Sequence, residues 1–339
     1  MDESSLTATV ARMPKVELHL HLEGAVRPET LLELSRNRPA LRRKVIEWTD
    51  ARRAQRFRYK DFPDFLAAFG LVSLLLETPQ DYALITHRLL EWLAGQNVKY
   101  AEITLAAGVV LWKKQPVEAV FEAVAETAQA AQARTGVRVQ WVFDAVRQFG
   151  VEHAREVMRL AARYRSLGVV AFGIGGDEAR GAASLFPSVF KEARDLGLHC
   201  IAHAGESCGP ASIRDAIELL GAERLGHGLT ALDDPGVTAM LRERQIPLEV
   251  CPSSNVSTGL VAGFEDHPLP RFLAAGLNVT LNSDDPAMFG TSLEEEFLRS
   301  ARAFRLSRQA LAGLVRNALR AAFLSEVEKQ ELMIALRPQ

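Results

Sequence analysis

The sequence lacks the features that mark several classes of protein. Cysteine is scarce and odd in number, with only Cys200, Cys208 and Cys251 among 339 residues, which argues against a disulfide framework and for a reducing compartment. No run approaches the ~18 consecutive apolar residues of a membrane span. The polar, acidic N-terminal segment has no apolar core of a signal peptide. These absences predict a cytoplasmic protein that has no membrane partner.

An excess of charge of one sign is missing as well. The 40 basic and 42 acidic residues leave a net charge of −2, so no electrostatic field favours nucleic acid or anionic lipid. Hydrophobic residues make up 48% of the chain and charged residues 24%, which is ordinary for a soluble globular protein. The composition therefore predicts a globular protein whose partner is not a nucleic acid.

Runs rich in Val, Ile and Leu alternate with helical patterns along almost the whole chain. Few charges interrupt these runs, which is typical of strands buried on both faces of a parallel sheet. Eight such runs occur, at about 15–21, 98–105, 137–146, 169–175, 198–203, 223–227, 246–251 and 278–283. Eight βα repeats predict an α/β protein with a (β/α)8 TIM barrel over residues 1–339 as a single domain. Further helical patterns at 292–303, 307–323 and 325–336 predict extra C-terminal helices.

One long excursion, residues 22–97, interrupts the pattern between the first two strands. An insertion of this size must cover part of the barrel mouth, so we interpret it as a helical lid. Phe62, Phe65, Leu66 and Phe69 recur at helical spacing within it, either as packing or as a wall for the substrate. The basic stretch 41–60 is typical of a solvated face.

Four of the predicted strands end in metal-ligand or acid/base residues. His19 and His21 lie two residues apart, so their imidazoles share one side of a strand. An HxH pair alone is weak evidence, but His203 and Asp284 follow two other strands. Three imidazoles and a carboxylate suit Zn²⁺ with a position left for water. We therefore expect one zinc ion per chain.

Three further residues at these strand ends predict a hydrolytic reaction. A zinc ion lowers the pKa of its bound water to about 7, and Glu206, three residues after His203, can take and return the proton. His227, between two glycines, can orient the hydroxide and stabilise developing charge. Asp285 faces away from Asp284 on the same strand end, so one carboxylate can bind metal and the other substrate.

Other functional classes fail on specific absences. The HxE and PCxxC pair of the cytidine-deaminase zinc site is missing, as is the HExxH helix of metalloproteases. The fourth strand has no Lys to bridge two metal ions, which favours a single ion. A non-catalytic barrel that serves as a binding module would require a broken site, whereas every expected ligand is present. The remaining histidines are assigned to the surface or to packing: His87, His153, His199 and His267.

The motif set resembles the adenosine/adenine deaminase family of the amidohydrolase superfamily. Its segments cover essentially the whole chain and read, in order, MPKVELHLHLEGAVRPETL, SLFP, HAGE, GHG, CPSSN and NSDDPAMFGTSL. The resemblance implies a one-zinc (β/α)8 barrel that hydrolyses the 6-amino group of an adenine ring.

Carried over residue by residue, the resemblance also assigns the site. It implies zinc ligands at His19, His21, His203 and Asp284, a proton shuttle at Glu206 that meets purine N1, and a water-orienting histidine at His227. Asp284 then also counts as catalytic and His21 as a substrate contact. Asp285 would meet purine N7, and the backbone N–H of Gly176 would meet N3.

The chain departs from the classical adenosine deaminases at the sugar side. This chain has Glu23 at the position where those enzymes carry Asp. Adenine deaminases also carry Glu at this position. The loop 144–149 and residues 172–176 look more like bacterial 6-aminodeoxyfutalosine deaminases, whose substrate bears a carboxyphenyl ketone. Arg147 could bind that carboxylate, or could be a surface or ion-pair residue. The expected substrate is adenosine, deoxyadenosine or 6-aminodeoxyfutalosine, with free adenine as the alternative.

Overall fold

Eight parallel strands surround the centre of the molecule in sequence order, from β1 beside β2 through to β8. The structure is a computed structural model, and it describes residues 3–54 and 57–336. A bridge between Leu20 and Asp284 joins the end of the last strand to the first. The strands are β1 Lys15–His21, β2 Val98–Leu105, β3 Arg138–Val146, β4 Val169–Gly175, β5 His199–Ala204, β6 Arg224–His227, β7 Leu248–Val250 and β8 Val279–Leu281. The predicted (β/α)8 barrel is confirmed.

Helices connect the strands, and many begin with proline because its fixed φ suits the first helical turn. Thr78 and Asp81 form a capping box at one helix start, which satisfies free backbone N–H groups there. The helices are α1 Glu3–Arg12, α2 Pro28–Leu34, α3 Pro39–Ala54, α4 Phe62–Leu75, α5 Pro79–Gly95, α6 Ala107–Trp112, α7 Val117–Thr135, α8 Val151–Arg163, α9 Pro187–Asp195, α10 Pro210–Glu218, α11 Pro235–Arg244, α12 Pro252–Ser257, α13 Leu269–Ala274, α14 Pro286–Phe289, α15 Leu293–Ala303, α16 Arg308–Ala321 and α17 Glu326–Ala335. The expected C-terminal helices are α15, α16 and α17.

Four of these helices, α2 to α5, form the long excursion between β1 and β2. On α3 the side chains of Arg42, Arg43 and Lys44 are exposed, as the basic stretch predicts; residues 55 and 56 of that stretch lie outside the described residues. Among the described helices none is by itself long and apolar enough to cross a membrane. Helices α4 and α5 reach that length and composition only together, and they meet at 115°.

The barrel interior contains charged side chains as well as aliphatic ones. Arg224 on β6 is buried and donates to Glu249 on β7 at 2.6 Å and to Glu102 on β2 at 2.5 Å. Its guanidinium also lies 3.9 Å from the ring centre of Phe323. A buried charge is tolerated only when it is paired and hydrogen-bonded. This network fixes the carboxylate of Glu249 on β7.

Candidate active site

The carboxyl ends of β1, β5 and β8 bring four candidate metal ligands together. The ligand atoms of His19, His21, His203 and Asp284 all lie within 4.8 Å of one another. Asp284 Oδ1 is 3.3 Å from Nε2 of both His19 and His21. The Nε2 atom of His19 is buried and has no hydrogen-bond partner in the described part of the chain. A buried cluster of three imidazoles and one carboxylate, with an orphaned nitrogen, fits a zinc-type ion.

Hydrogen bonds outside the cluster set the direction of two imidazoles. Glu249 Oε2 lies 2.8 Å from Nδ1 of His19, and the carbonyl oxygen of Ile174 lies 3.3 Å from Nδ1 of His203. Each contact leaves Nε2 facing the cluster, as in many protein metal sites. Gly226 permits this arrangement, because a Cβ there would lie 2.8 Å from Cε1 of His19.

The backbone of Asp284 is held between the two histidines of β1. Its N–H donates to the carbonyl of His19, and its own carbonyl accepts from the N–H of His21, each at 2.9 Å. Asp284 adopts φ 62°, a left-handed conformation that is uncommon for residues other than glycine. Glu17 on β1 accepts from the N–H of Ser283 at 2.7 Å. These contacts stabilise a strained conformation that directs the carboxylate into the cluster.

The protonation states of the cluster suit a cation. Burial lowers the pKa of His21 to about 4 and that of His203 well below its ordinary value, so both imidazoles are neutral. Burial alone would raise the pKa of Asp284, but the nearby imidazole of His19 holds it well below its usual range. His19 is the exception, because Asp284 and Glu249 outweigh burial and raise its pKa. Its proton is therefore the one that a metal ion would displace.

Glu206 and His227 lie beside the cluster, at the ends of β5 and β6. His227 Nε2 is 3.5 Å from Glu206 Oε1 and 4.0 Å from Asp284 Oδ2. Burial, with the negative charges of Asp284 and Glu178, raises the pKa of Glu206 well above its ordinary value. The raised pKa favours the protonated carboxyl group, which can act as a general acid toward a bound ligand.

Glu178 organises the turn that carries Glu206, and the sequence analysis did not identify it. Its Oε1 accepts from the N–H groups of Glu206 at 2.9 Å and Ser207 at 2.8 Å. Its Oε2 accepts from the N–H of Gly205 at 2.9 Å and the hydroxyl of Ser212 at 2.7 Å. Its position two residues after Gly176, in the segment Gly176-Asp177-Glu178, was the available signal. Glu178 thus fixes the backbone of the HAGE segment.

We expect Glu178→Gln to lower kcat by roughly 10- to 100-fold, since hydrogen bonds to a charged group contribute about 1.5–3 kcal/mol each. The amide NH₂ would face backbone N–H donors, so the turn would shift and Glu206 would move with it. Metal content should stay at the wild-type level, as measured by elemental analysis beside steady-state kinetics. Glu218→Gln, on an exposed position of α10, is the matched control. A Glu178→Gln enzyme with wild-type kcat would contradict this role.

Asp285 points into the same cavity and depends on a glycine across from it. Its Oδ1 is buried and has no described hydrogen-bond partner. Burial, followed by the charge of Asp284, raises its pKa well above the ordinary value. A Cβ at Gly24 would lie only 1.7 Å from that oxygen, so residue 24 must be glycine for Asp285 to hold this position. The free oxygen is available to a ligand.

Two predicted substrate contacts do not face the cavity. Arg147 is only 3% exposed, and its guanidinium donates to the carbonyl oxygens of Gly181, at 2.9 Å, and His203. It joins the loops after β3 and β4 to the end of β5, and we correct its predicted role as a ligand of a substrate carboxylate to a structural one. Glu23 is also buried, and both of its oxygens accept from the N–H of Ala106, at 3.2 and 3.3 Å. Neither residue lines the cavity.

The cavity extends from the metal cluster to the surface beneath α4, with a volume of about 940 Å³ including its open mouth. At its inner end it is lined by His21, His203, Glu206, His227, Asp284, Asp285 and Gly176. At its outer end it is lined by Phe62, Phe65, Leu66, Phe69, Val109, Trp112, Val146 and Phe149. Among the described lining residues none is Lys or Arg.

Comparisons with known proteins agree with this geometry. The sequence profile of the adenosine deaminase family matches residues 14–337. An aminodeoxyfutalosine deaminase from Streptomyces avermitilis is 37% identical over 329 residues, covering 96% of this chain and 91% of the relative. The crystal structure of an adenine deaminase from Arthrobacter aurescens superimposes with a TM-score of 0.87 at 30% identity, covering 96% of this chain and 98% of that one.

A second solved structure bears on the metal. It is an amidohydrolase from Burkholderia ambifaria with bound zinc, and it superimposes with a TM-score of 0.87 at 25% identity. The likeness covers 99% of this chain and 93% of that protein. Together with the match along nearly the whole sequence and the ligand cluster at the barrel mouth, these findings show that the chain belongs to the adenosine deaminase family of the amidohydrolase superfamily, a family of metal-dependent deaminases.

Proposed function

We propose that this protein hydrolyses the 6-amino group of an adenine nucleoside whose N9 substituent carries an apolar aromatic group, with 6-aminodeoxyfutalosine as the substrate that fits best. The observation that carries the proposal is a cavity with catalytic groups at its inner end and an uncharged aromatic wall at its outer end. The aminodeoxyfutalosine deaminase among the relatives supports the same substrate class.

The inner end supplies the groups that deamination of an adenine ring requires. We propose that His19, His21, His203 and Asp284 hold one zinc ion, which supplies Lewis-acid activation of the attacking water. Glu206 in its acid form would donate its proton to ring N1 as the water oxygen adds to C6, and His227 would orient that oxygen. The carboxylate left on Glu206 would take one proton of the water, and the remaining hydroxyl proton would pass to the departing amine. Asp285 binds N7 and the backbone N–H of Gly176 binds N3. The ring then loses ammonia, so an amine is exchanged for an oxygen without oxidation or reduction.

The outer end suits an aromatic substituent better than a phosphate. Phe62, Phe65 and Phe69 of α4 contribute one side of the wall. The rings of Trp112 and Phe149 also line the cavity and stack on each other, 5.6 Å apart and inclined by 13°. No Lys or Arg is among the described lining residues, so a nucleotide phosphate would meet no cationic partner among them. A benzoate ring could rest on the aromatic wall with its carboxylate at the open mouth.

An unpartnered carboxyl group supports a nucleoside over a free base. Asp144, at the end of β3, is buried and lines the cavity, and no hydrogen bond is recorded for it within residues 3–54 and 57–336. Burial raises its pKa to about 7. A buried polar group without a partner costs free energy that a ligand can recover. We propose that a sugar hydroxyl meets this group, which the free base could not provide.

The excursion formed by residues 22–97 is proposed to act as a lid. Its helix α4 contributes six of the residues that line the cavity: Phe62, Phe65, Leu66, Phe69, Gly70 and Ser73. Phe69 lies 6.3 Å from the ring of His21, edge on. The segment therefore contacts both the outer wall and a metal ligand, where its closure would exclude water from the reacting ring.

We expect 6-aminodeoxyfutalosine to be deaminated at least as efficiently as adenosine, and both more efficiently than AMP, in an assay of ammonia release. Trp112→Ala should raise KM for the aromatic substrate by about 2- to 10-fold, because an aromatic pair contributes roughly 0.5–1.5 kcal/mol. The same change should leave adenosine unaffected. Leu185→Ala is the matched control, since Leu185 is 55% exposed, much like Trp112 at 58%, but lies outside the cavity lining.

Other outcomes of this panel would reject parts of the proposal. A preference for adenosine would reject the proposed aromatic substituent of the substrate but would still support deamination of an adenine nucleoside. Activity on adenine alone would favour the second candidate, an adenine deaminase, which the likeness to the Arthrobacter aurescens enzyme supports. No turnover of any adenine compound by metal-loaded protein would reject the function.

A further inference from the structure

A buried chain of three polar side chains leads from β6 to α13 behind the active site. Nδ1 of His227 lies 3.3 Å from Nδ2 of Asn255. Oδ1 of the same Asn255 lies 3.2 Å from Nε2 of His267. The N–H of Leu269 donates to Nδ1 of His267 at 3.1 Å. All three polar side chains are buried, so the hydrogen bonds among them are not exchanged with solvent.

At the His267 end of this row of hydrogen bonds, the donor is known without inference, because it is the backbone N–H of Leu269. The backbone N–H of Leu269 can only donate, so Nδ1 of His267 must be the acceptor and carry no proton. Burial lowers the pKa of His267 to about 3, so the imidazole is neutral and its single proton is on Nε2. That N–H points at Asn255.

The orientation of the Asn255 amide follows from the same reasoning. Because Nε2 of His267 is a donor, the amide must present its oxygen there. The reversed amide would place an NH₂ group against an N–H, with two donors facing each other in a buried site. The amide NH₂ group therefore faces His227 and donates to its Nδ1. Because an imidazole keeps at least one N–H and Nδ1 of His227 is the acceptor here, the proton of His227 is on Nε2.

We infer that His267 is a positioning residue that acts through Asn255 to hold His227 in the Nε2–H tautomer, with that N–H directed at the reaction site. Nε2 of His227 faces Glu206 Oε1 at 3.5 Å and Asp284 Oδ2 at 4.0 Å. An N–H at this place donates to the oxygen that attacks the ring, whereas a bare nitrogen would accept from it. The tautomer is a property of the protein alone, and only its catalytic consequence rests on the proposed function.

The backbone at His227 requires such an outside constraint. The residue adopts φ 64°, which costs of order 1–3 kcal/mol for a side chain of this kind. The register of β5 with β6 pairs Ala204 with His227, which fixes the height of the imidazole but not which nitrogen carries the proton. The hydrogen bond from Asn255 supplies that second constraint. His267 was assigned from the sequence to packing or the surface, and its burial and partners give it this further role.

The tautomer can be read directly by ¹⁵N NMR of the full-length, metal-loaded protein labelled in its histidines. The His227 signals are identified by their loss in His227→Gln. We expect a protonated, pyrrole-type Nε2 and an unprotonated, pyridine-type Nδ1 in the wild type. The opposite pattern would overturn the inference, and this result needs no activity and no substrate.

Variants of His267 then test whether the chain sets the tautomer. His267→Phe keeps a ring but removes the donor, so the amide of Asn255 becomes free to turn; we expect a mixed tautomer signal and a kcat lowered by about 10- to 100-fold with metal content unchanged. His267→Gln offers an N–H donor in the same place, so it should restore most of the wild-type tautomer signal and most of the wild-type kcat. The exposed His87→Gln is the matched control.

Two results would contradict the role of His267 as a positioning residue. One is a wild-type tautomer and kcat in His267→Phe. The other is an equal loss of kcat in His267→Phe and His267→Gln with the tautomer intact, which would make His267 purely structural. If His267→Phe fails to fold, Asn255→Leu and the wild-type spectrum still decide the matter. Loss of every deaminase activity in the wild type would reject the proposed function and leave the tautomer result standing.

Discussion

Replacing His19 or Asp284 by alanine should remove both the metal and the activity. Wild-type protein is expected to contain about one zinc ion per chain, and His19→Ala and Asp284→Ala nearly none. Turnover should fall by about 10³-fold or more, because loss of a central catalytic group commonly costs several orders of magnitude. The physical reason is that Asp284 Oδ1 lies between two imidazoles, 3.3 Å from each, so either change opens the cluster. Elemental analysis and ammonia release measure the two effects.

Thermal unfolding gives an independent readout for the same variants. An ion that binds only the folded state raises its stability by mass action, so chelation should lower the Tm of the wild type and added zinc should restore it. Neither treatment should move the Tm of Asp284→Ala. Asp233→Ala, at an exposed position, is the control and should respond as the wild type does. Two ions per chain, or full activity after chelation, would contradict the one-zinc site.

The second large effect is expected from Glu206→Gln. Loss of a general acid/base typically lowers the rate by about 10²- to 10⁴-fold, whereas a glutamine amide can still donate a hydrogen bond to ring N1. We therefore expect kcat to fall by at least about 10²-fold while KM and metal content change little. Near-normal turnover would mean that another group moves the proton.

The pH profile of the wild type adds a check on Glu206. Burial and the charges of Asp284 and Glu178 raise its pKa, so the acid form persists to a higher pH than in an ordinary glutamate. As pH rises through that raised pKa the carboxyl group loses its proton, and kcat/KM should fall on the alkaline side. The residual activity of Glu206→Gln should lack this limb. An alkaline limb that is unchanged in the variant would assign it to a different group.

The barrel and the metal cluster could be predicted because they depend on local periodicities. Buried parallel strands give continuous apolar runs, and three of them, β1, β2 and β4, begin and end at the predicted residues. Alternation along β1 places His19 and His21 on one side of the strand. Strand ends of a parallel barrel meet at one mouth, so ligands on different strands converge without further information.

Local periodicity did not predict the roles of residues that depend on the direction of a side chain. Arg147 follows β3 at the barrel mouth, where the sequence allowed a ligand for a carboxylate. The tertiary structure turns its guanidinium onto the carbonyls of Gly181 and His203 instead. Position along a chain fixes where a long side chain begins but not where its charged end lies, because several rotatable bonds separate the two.

Contacts between residues distant in the sequence decided the rest. Glu178 was adjacent to a motif, yet its bonds to the Glu206 turn arise only where the loops after β4 and β5 meet. Asn255 ends the CPSSN motif, but nothing in that motif or around His267 indicates a connection to His227. The sequence by itself determined the barrel, the ligand types and their common mouth, since strand periodicity and parallel topology produce these. The hydrogen-bond partners that set tautomer, turn position and cavity wall were decided by tertiary packing, because a hydrogen bond depends on distances and angles that no local pattern encodes.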